Sequence, residues 1–229
     1  MSAMRYASSG ASKPIREIAY ETLKNAIITG EIPAGIRIVE TEYAAKLHIS
    51  RTPLREALRK LERDGLVEYV IRRGVVVRAF TIEDVEEIYT IRNALEMITL
   101  PAIIQNATPK DIQSMRDKLR QMDRLMEENQ IERLSAVARA FHDQLTAISG
   151  LKRILRVIQG QDEYIHRFSA MSIAKDTRRG FAHQEHHKIV DLVEQKDLEG
   201  LQALMQRHIE LSKQNCLAAL KETSAHKRA

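Results

Sequence analysis

Apolar positions in the first third of the chain change their period several times within about seventy residues. Ile15, Ile18, Ala19, Leu23, Ala26 and Ile27 recur at the three- and four-residue spacing of one helix face, and Gly30 supplies a stop. Pro33-Ala34-Gly35 then turns the chain into a short extended piece over 36–39. A second helix over 41–47 sets Ala44, Ala45 and Leu47 inward, and His48-Ile49 makes a turn. Leu54, Ala57, Leu58 and Leu61 form the stripe of a third helix. Ser50 is suited to its N-cap, Pro53 to its first turn, where an amide lacks an intrahelical partner, and Gly65 to its end. Arg51, Arg55, Arg59 and Arg63, spaced by four, stay on the solvent side. Residues 66–71 and 75–79 read as strands joined through Arg72-Arg73-Gly74.

That order of elements predicts a winged helix-turn-helix over 13–80. A helix presenting arginine at its N-terminus, followed by a basic wing, suits the DNA major groove. From Thr81, a predicted N-cap, the texture changes to long helical patterns with few glycines. Six helices are predicted, over 81–106, 109–128, 131–148, 151–170, 179–195 and 197–222. Asn106-Ala107-Thr108-Pro109, Ser149-Gly150 and Lys196-Asp197 mark the breaks. The predicted fold is therefore mostly α: an N-terminal winged helix-turn-helix and a C-terminal all-α six-helix bundle over 81–223. The small polar residues 1–12 are expected to be disordered, and 224–229 to form a tail.

Charge sharpens this division. Residues 1–80 hold 14 Lys and Arg against 9 Asp and Glu, whereas 81–229 hold 22 of each, so the whole net charge of +5 belongs to the first segment. A polyanion partner needs such a field for non-specific affinity and rapid encounter. The single cysteine, Cys216, excludes an intramolecular disulfide and fits a reducing compartment. Its place in a helical pattern reads as buried or interfacial rather than catalytic. The first residues lack an apolar signal-peptide core, and no run approaches the roughly 18 apolar residues of a membrane span, so a cytoplasmic location is expected.

Spaced arginines alone could mark an ordinary solvated face. Here they sit in a compound pattern: Pro-x-Gly before a short strand, then a helix, then Ser50-Arg51-Thr52-Pro53-Leu54-Arg55-Glu56-Ala57-Leu58, then Asp64-Gly65-Leu66-Val67, then Ile71-Arg72-Arg73-Gly74-Val75. This pattern closely resembles the GntR family of bacterial transcription regulators over about residues 13–80. The resemblance implies double-stranded DNA as partner. Arg51 and Arg55 would contact bases or adjacent phosphates, Thr52 would help to fix the helix, and Arg73 and Gly74 would approach the minor groove. Pro53, Arg59 and Arg72 complete the expected DNA-binding set. In a relative of this family an arginine lies ten positions before the counterpart of Arg51; here that position is Thr41.

In the second segment the histidines carry the information. His142, His186 and His208 lie on three different predicted helices and could converge in the bundle on a divalent ion. Lone histidines on amphipathic helices are more often merely half-buried or exposed, and His166, His183 and His187 read that way. The segment 82–223 resembles the FCD ligand-binding domain of the FadR subgroup, in its six-helix VanR-like branch. The resemblance is carried by Ile91-Arg92-Asn93-Ala94-Leu95-Glu96, Phe141-His142-Asp143-Gln144-Leu145, Glu185-His186-His187-Lys188-Ile189 and by Asp197 leading to His208. It implies a metal, zinc or nickel, held by His142, His186 and His208 with one acidic residue, and anchoring an organic-acid effector. That acidic residue should stand four positions before His142, where this chain has Ala138, which cannot ligate; Asp143 points about 100° away on the helix. Arg92 is either a second carboxylate-binding group in the effector site or the partner of a salt bridge, for instance to Glu96 four residues on.

These readings predict a ligand-responsive regulator that binds a palindromic operator as a homodimer and responds to a small organic acid. Two alternatives stand beside it: a regulator whose ligand is the metal ion itself, and a small metal-dependent hydrolase using the three histidines. The hydrolase reading lacks any nucleophile, catalytic-carboxylate or phosphate-loop motif.

Overall fold

The first apolar stripe folds as α1 (Ile15–Ile28), with Leu23 and Ile27 fully buried and Ile15, at its edge, 57% exposed. The computed structural model describes residues 13–173 and 176–226. The segment expected to be disordered (1–12), the end of the expected tail (227–229) and the side chain of His166 lie outside the described residues. Two compact units divide between Phe80 and Thr81.

In the first unit β1 (Arg37–Ile38), α2 (Glu40–Lys46), α3 (Arg51–Arg63), β2 (Val67–Val70) and β3 (Gly74–Val77) follow α1. The three strands form one antiparallel sheet in the order β1-β3-β2. α3 packs against α1 and buries Leu54, Ala57, Leu58 and Leu61, the predicted stripe. Polar contacts reinforce that seam: the Tyr20 hydroxyl donates to Asp64 at 2.5 Å, and Lys60, 2.7 Å from Glu17, lies over the Tyr20 ring. On α2 the inward residues are Tyr43 and Ala44; Ala45, expected inside, is exposed. The aromatic ring at 43 takes the buried position because the helix is rotated slightly from the register assumed by small residues alone.

Helix ends explain the turns. Ser50 occupies the N-cap of α3, but its hydroxyl makes no cap bond. Of the two amides such a cap can accept from, those of Thr52 and Pro53, the second has no N–H. At the other end Gly65 adopts φ 71°, while Leu66 N–H bonds Leu61 C=O and Gly65 N–H bonds Glu62 C=O, a Schellman closure. The turn between α2 and α3 is closed in the same way, with Ile49 bonding Ala44, His48 bonding Ala45, and His48 in the left-handed region at φ 54°.

The second unit contains α4 (Ile82–Asn106), α5 (Pro109–Glu127), α6 (Ile131–Ile148), α7 (Lys152–Ile173), α8 (Asp176–Gln195) and α9 (Leu198–His226). Thr81 and Thr108 each close a capping box with an Asp three residues on. α7 and α9 run three and four residues past their predicted ends and α8 begins three residues early, through stretches free of Gly and Pro. α4 packs chiefly against α9, α7 and α6, and α5 against α6 and α8. Asn106 caps α6 from outside, its amide donating to the carbonyls of Ser149 and Ile148 at 3.1 and 3.3 Å. α4 buries Arg92, Glu96 and Thr99 beside Val85, Tyr89 and Ile103, so the middle of this helix is polar inside the bundle.

Candidate functional site

The N-terminus of α3 is exposed, and its two leading arginines share one anchor. Arg51 donates to the Glu40 carboxylate through Nη2 at 2.9 Å and Nε at 3.3 Å, and Arg55 donates to the same oxygen at 2.8 Å. The Arg51 hydrogen bond, more than Arg55, holds the Glu40 carboxyl below its ordinary range. Glu40 opens α2, so the first helix of the pair orients the side chains of the second. Thr52 and Arg59 are also exposed and Pro53 is half-buried. Arg55 and Arg59 line a groove with Tyr69 and Val75 of the wing.

The wing tip is a tight turn, closed by Arg73 N–H on Val70 C=O at 3.0 Å, with Arg72 at φ 67° and Gly74 at φ 78°. Arg72 thus occupies a turn position usually taken by glycine. Ile71 beside it is 82% exposed. Arg37 on β1 pairs in register with Val76, which carries its guanidinium alongside Gly74. Arg37, Glu40 and Tyr69 were not singled out by the sequence, since only sheet pairing and helix packing bring them to the arginines.

In the second unit His142 of α6, His186 of α8 and His208 of α9 come together. Their ring centroids are 4.9, 5.1 and 5.2 Å apart, and one nitrogen from each lies within 4.8 Å of the others. His142 Nε2 and His186 Nε2 are 3.1 Å apart. His208 Nδ1 sits 2.7 Å from the buried Glu185 carboxylate, which favours a proton on Nδ1 and leaves Nε2 with its lone pair. Phe141 packs against both His142 and His186. His142 retains some exposed surface, but its Nδ1 is fully enclosed and has no hydrogen-bond partner among the described residues. Burial, then the nearby His208 and Arg92, push its pKa well below the ordinary 6.5, so the imidazole is neutral at neutral pH. The donor set therefore fits a borderline divalent ion such as zinc or nickel, with positions left open by Ala138.

Arg92 is buried and bonded to Glu96 at 2.5 Å, which is the salt-bridge alternative raised by the sequence. Its charge nevertheless reaches His142, and Glu96 Oε2 has no hydrogen-bond partner among the described residues. The Cys216 thiol, buried and 3.2 Å from the Tyr89 hydroxyl, is pushed up to about 11 chiefly by burial, which makes it a poor nucleophile. His183 and His187 are half-buried, as expected, and face each other and Asp123 across α5 and α8. Histidines at i and i+4 share a helix face; which residue of α5 meets them is decided by packing.

Comparison with known proteins gives a consistent placement. The GntR family of bacterial regulatory proteins matches residues 15–77, and the FCD domain matches 87–211, more than half of the chain. The Uncharacterized HTH-type transcriptional regulator YdhC of Bacillus subtilis is 30% identical over 184 residues, covering 79% of this chain and 81% of that protein. The Nta operon transcriptional regulator of Aminobacter aminovorans is 32% identical over 176 residues, covering 77% and 82%. A GntR-family transcriptional regulator from Pseudomonas syringae superposes with a TM-score of 0.56 at 29% identity, covering 95% and 92%. These relatives are regulators, which removes the hydrolase alternative. The chain belongs to the GntR family of bacterial transcription regulators and carries an FCD domain behind its winged helix-turn-helix.

Proposed function

We propose that this regulator binds a palindromic operator in the cytoplasm as a homodimer, and that a small organic acid bound in its helical unit releases or remodels that complex. Reading of base edges falls to Arg51 and Arg55, with Thr52 and Pro53 setting the start of the helix and Arg59 on the backbone. Arg72, Arg73 and Gly74, joined by Arg37, take the groove beside it. Glu40 holds the two reading arginines in position between encounters, which limits the entropy they lose on binding.

The observation that carries the effector half is the convergence of three imidazoles from three helices, with the tautomer of one set by Glu185. His142, His186 and His208 would hold a zinc or nickel ion, whose charge supplies a centre for a carboxylate. Arg92 supplies a second positive charge from α4, and a carboxylate ligand would compete with Glu96 for it. An acid that draws Arg92 away from Glu96 stabilises one arrangement of the bundle over another. Differential affinity of this kind is what shifts a two-state equilibrium.

The test begins with operator DNA selected from a random pool by the purified protein. Binding is then followed by fluorescence anisotropy with zinc, with nickel, with chelator, and against a panel of organic acids. An acid that changes operator affinity in the wild type, and has no effect on His142→Ala/His208→Ala or on Arg92→Gln, is the expected outcome. A response to the metal alone, unaltered by any acid, would make the ion itself the signal.

A further inference from the structure

A second group of ligand atoms lies on the seam between α5 and α8, apart from the three core histidines. His183 Nε2 is 2.5 Å from Asp123 Oδ1 and 3.2 Å from His187 Nε2, and His187 Nε2 is 3.7 Å from the same carboxylate oxygen. A proton on His183 can point at only one of its two neighbours, so hydrogen bonding alone leaves one electron-rich contact without a bridge. A cation meets all three. Given sides of 2.5, 3.2 and 3.7 Å, the circle through these atoms has a radius of about 1.9 Å, so an ion just off their plane lies about 2.0–2.1 Å from each, the bond length of zinc. We propose that Asp123, His183 and His187 form a second binding site for a borderline divalent ion, of the zinc or nickel class, bridging α5 to α8.

Three further features support this. The two histidines are one turn apart on α8, so the helix itself sets their separation before any ion arrives. Two nitrogens and one carboxylate oxygen select zinc, nickel, cobalt or copper over magnesium and calcium, which prefer all-oxygen sites. Asp123 and His187 keep 43% of their side-chain surface exposed, while His183 keeps 12%. An ion can therefore enter from solvent, and water can complete its coordination. The same seam is already held two turns away by Arg116 of α5, which bonds Asp191 and Glu194 of α8 at 3.0 and 2.5 Å. An ion at Asp123 would fasten the other end of that seam. It would thereby tie α5 to the helix that carries His186.

Equilibrium dialysis of the full chain against zinc chloride, with bound zinc counted per chain, decides the matter. The wild type, Asp123→Ala/His187→Ala, His142→Ala/His208→Ala and the combined quadruple variant are compared, with circular dichroism as the check of folding. The Asp123→Ala/His187→Ala protein should bind one zinc fewer than the wild type. The core double variant should keep one zinc, and the quadruple variant should lose it. Equal zinc on the wild type and on Asp123→Ala/His187→Ala would overturn the seam site and leave the core site standing. Absence of zinc from the wild type would overturn both. Should the core variant fail to fold, the comparison of the wild type with the exposed-site variant is decisive by itself.

Discussion

Arg51 and Arg55 bind one carboxylate of Glu40, which ties the arrangement of both side chains to a residue outside α3. Arg51→Ala and Arg55→Ala should each stay folded, since both side chains are exposed, and should each lose about 1–3 kcal/mol of discrimination between operator and random DNA. Anisotropy titrations on both DNAs measure this; an unchanged ratio in both variants would remove these residues from base reading. His142 makes a second prediction at the same scale. Its folded pKa lies below 6.5, so between the two values the unfolded chain binds the extra proton and stability falls as pH falls. The metal-free protein should therefore lose stability as pH drops through 6.5, with a slope of at most about 1.4 kcal/mol per pH unit for this one proton. Thermal melts from pH 8 downward in chelator measure it, and His142→Gln should flatten the profile. An identical pH dependence in the variant would show that His142 does not contribute.

Among the elements, the turns rather than the helices hold conformational strain. His48 sits at φ 54° in the turn of the helix pair, where a side chain costs about 1–2 kcal/mol relative to glycine. Glycine loses about 0.5–1 kcal/mol more conformational entropy on folding. His48→Gly should accordingly stabilise the protein by up to about 1 kcal/mol, read from the urea midpoint. Gly65→Ala should act in the opposite direction, by about 1–2 kcal/mol, because φ is 71° and a Cβ would stand 3.2 Å from Arg78 Nη1. A stabilised Gly65→Ala would contradict the Schellman reading of this end. Asn129 and Lys196 close α5 and α8 with the same pattern of bonds, so the helical unit shares this device.

At the level of the whole molecule, net charge and element order assign separate tasks to the two units. The excess of +5 lies in residues 1–80, while the second unit, with balanced charge, holds the buried polar groups. One winged helix offers few base contacts, so useful specificity needs a pair. The protein should sediment as a dimer at micromolar concentration and protect two half-sites whose centres lie roughly one helical turn apart, or somewhat closer, on one DNA face. A monomer bound one-to-one to a single half-site would sink this prediction.

The winged helix-turn-helix was legible because local rules specify it: apolar period, a proline early in α3, glycines at the positive-φ positions 30, 35, 65 and 74. The six helices of the second unit were legible for the same reason, and their overruns occur where no Gly or Pro marks a stop. His142, His186 and His208 could be named together only through a family pattern, since spacing along a helix says nothing about which faces of three helices meet. The pairing of Arg92 with Glu96 was one of the two roles read from the sequence, and burial explains it, since neither buried charge could remain unpaired. Glu40 beside Arg51 and Arg55, Arg37 at the wing tip, Glu185 behind His208, and Asp123 facing His183 and His187 had no local signal. Each depends on a contact between different elements. Residue type and period along the chain determined the elements and the faces they bury; tertiary packing alone decided which charged and ligating side chains share an environment, because that depends on distances across helices and strands that no local spacing encodes.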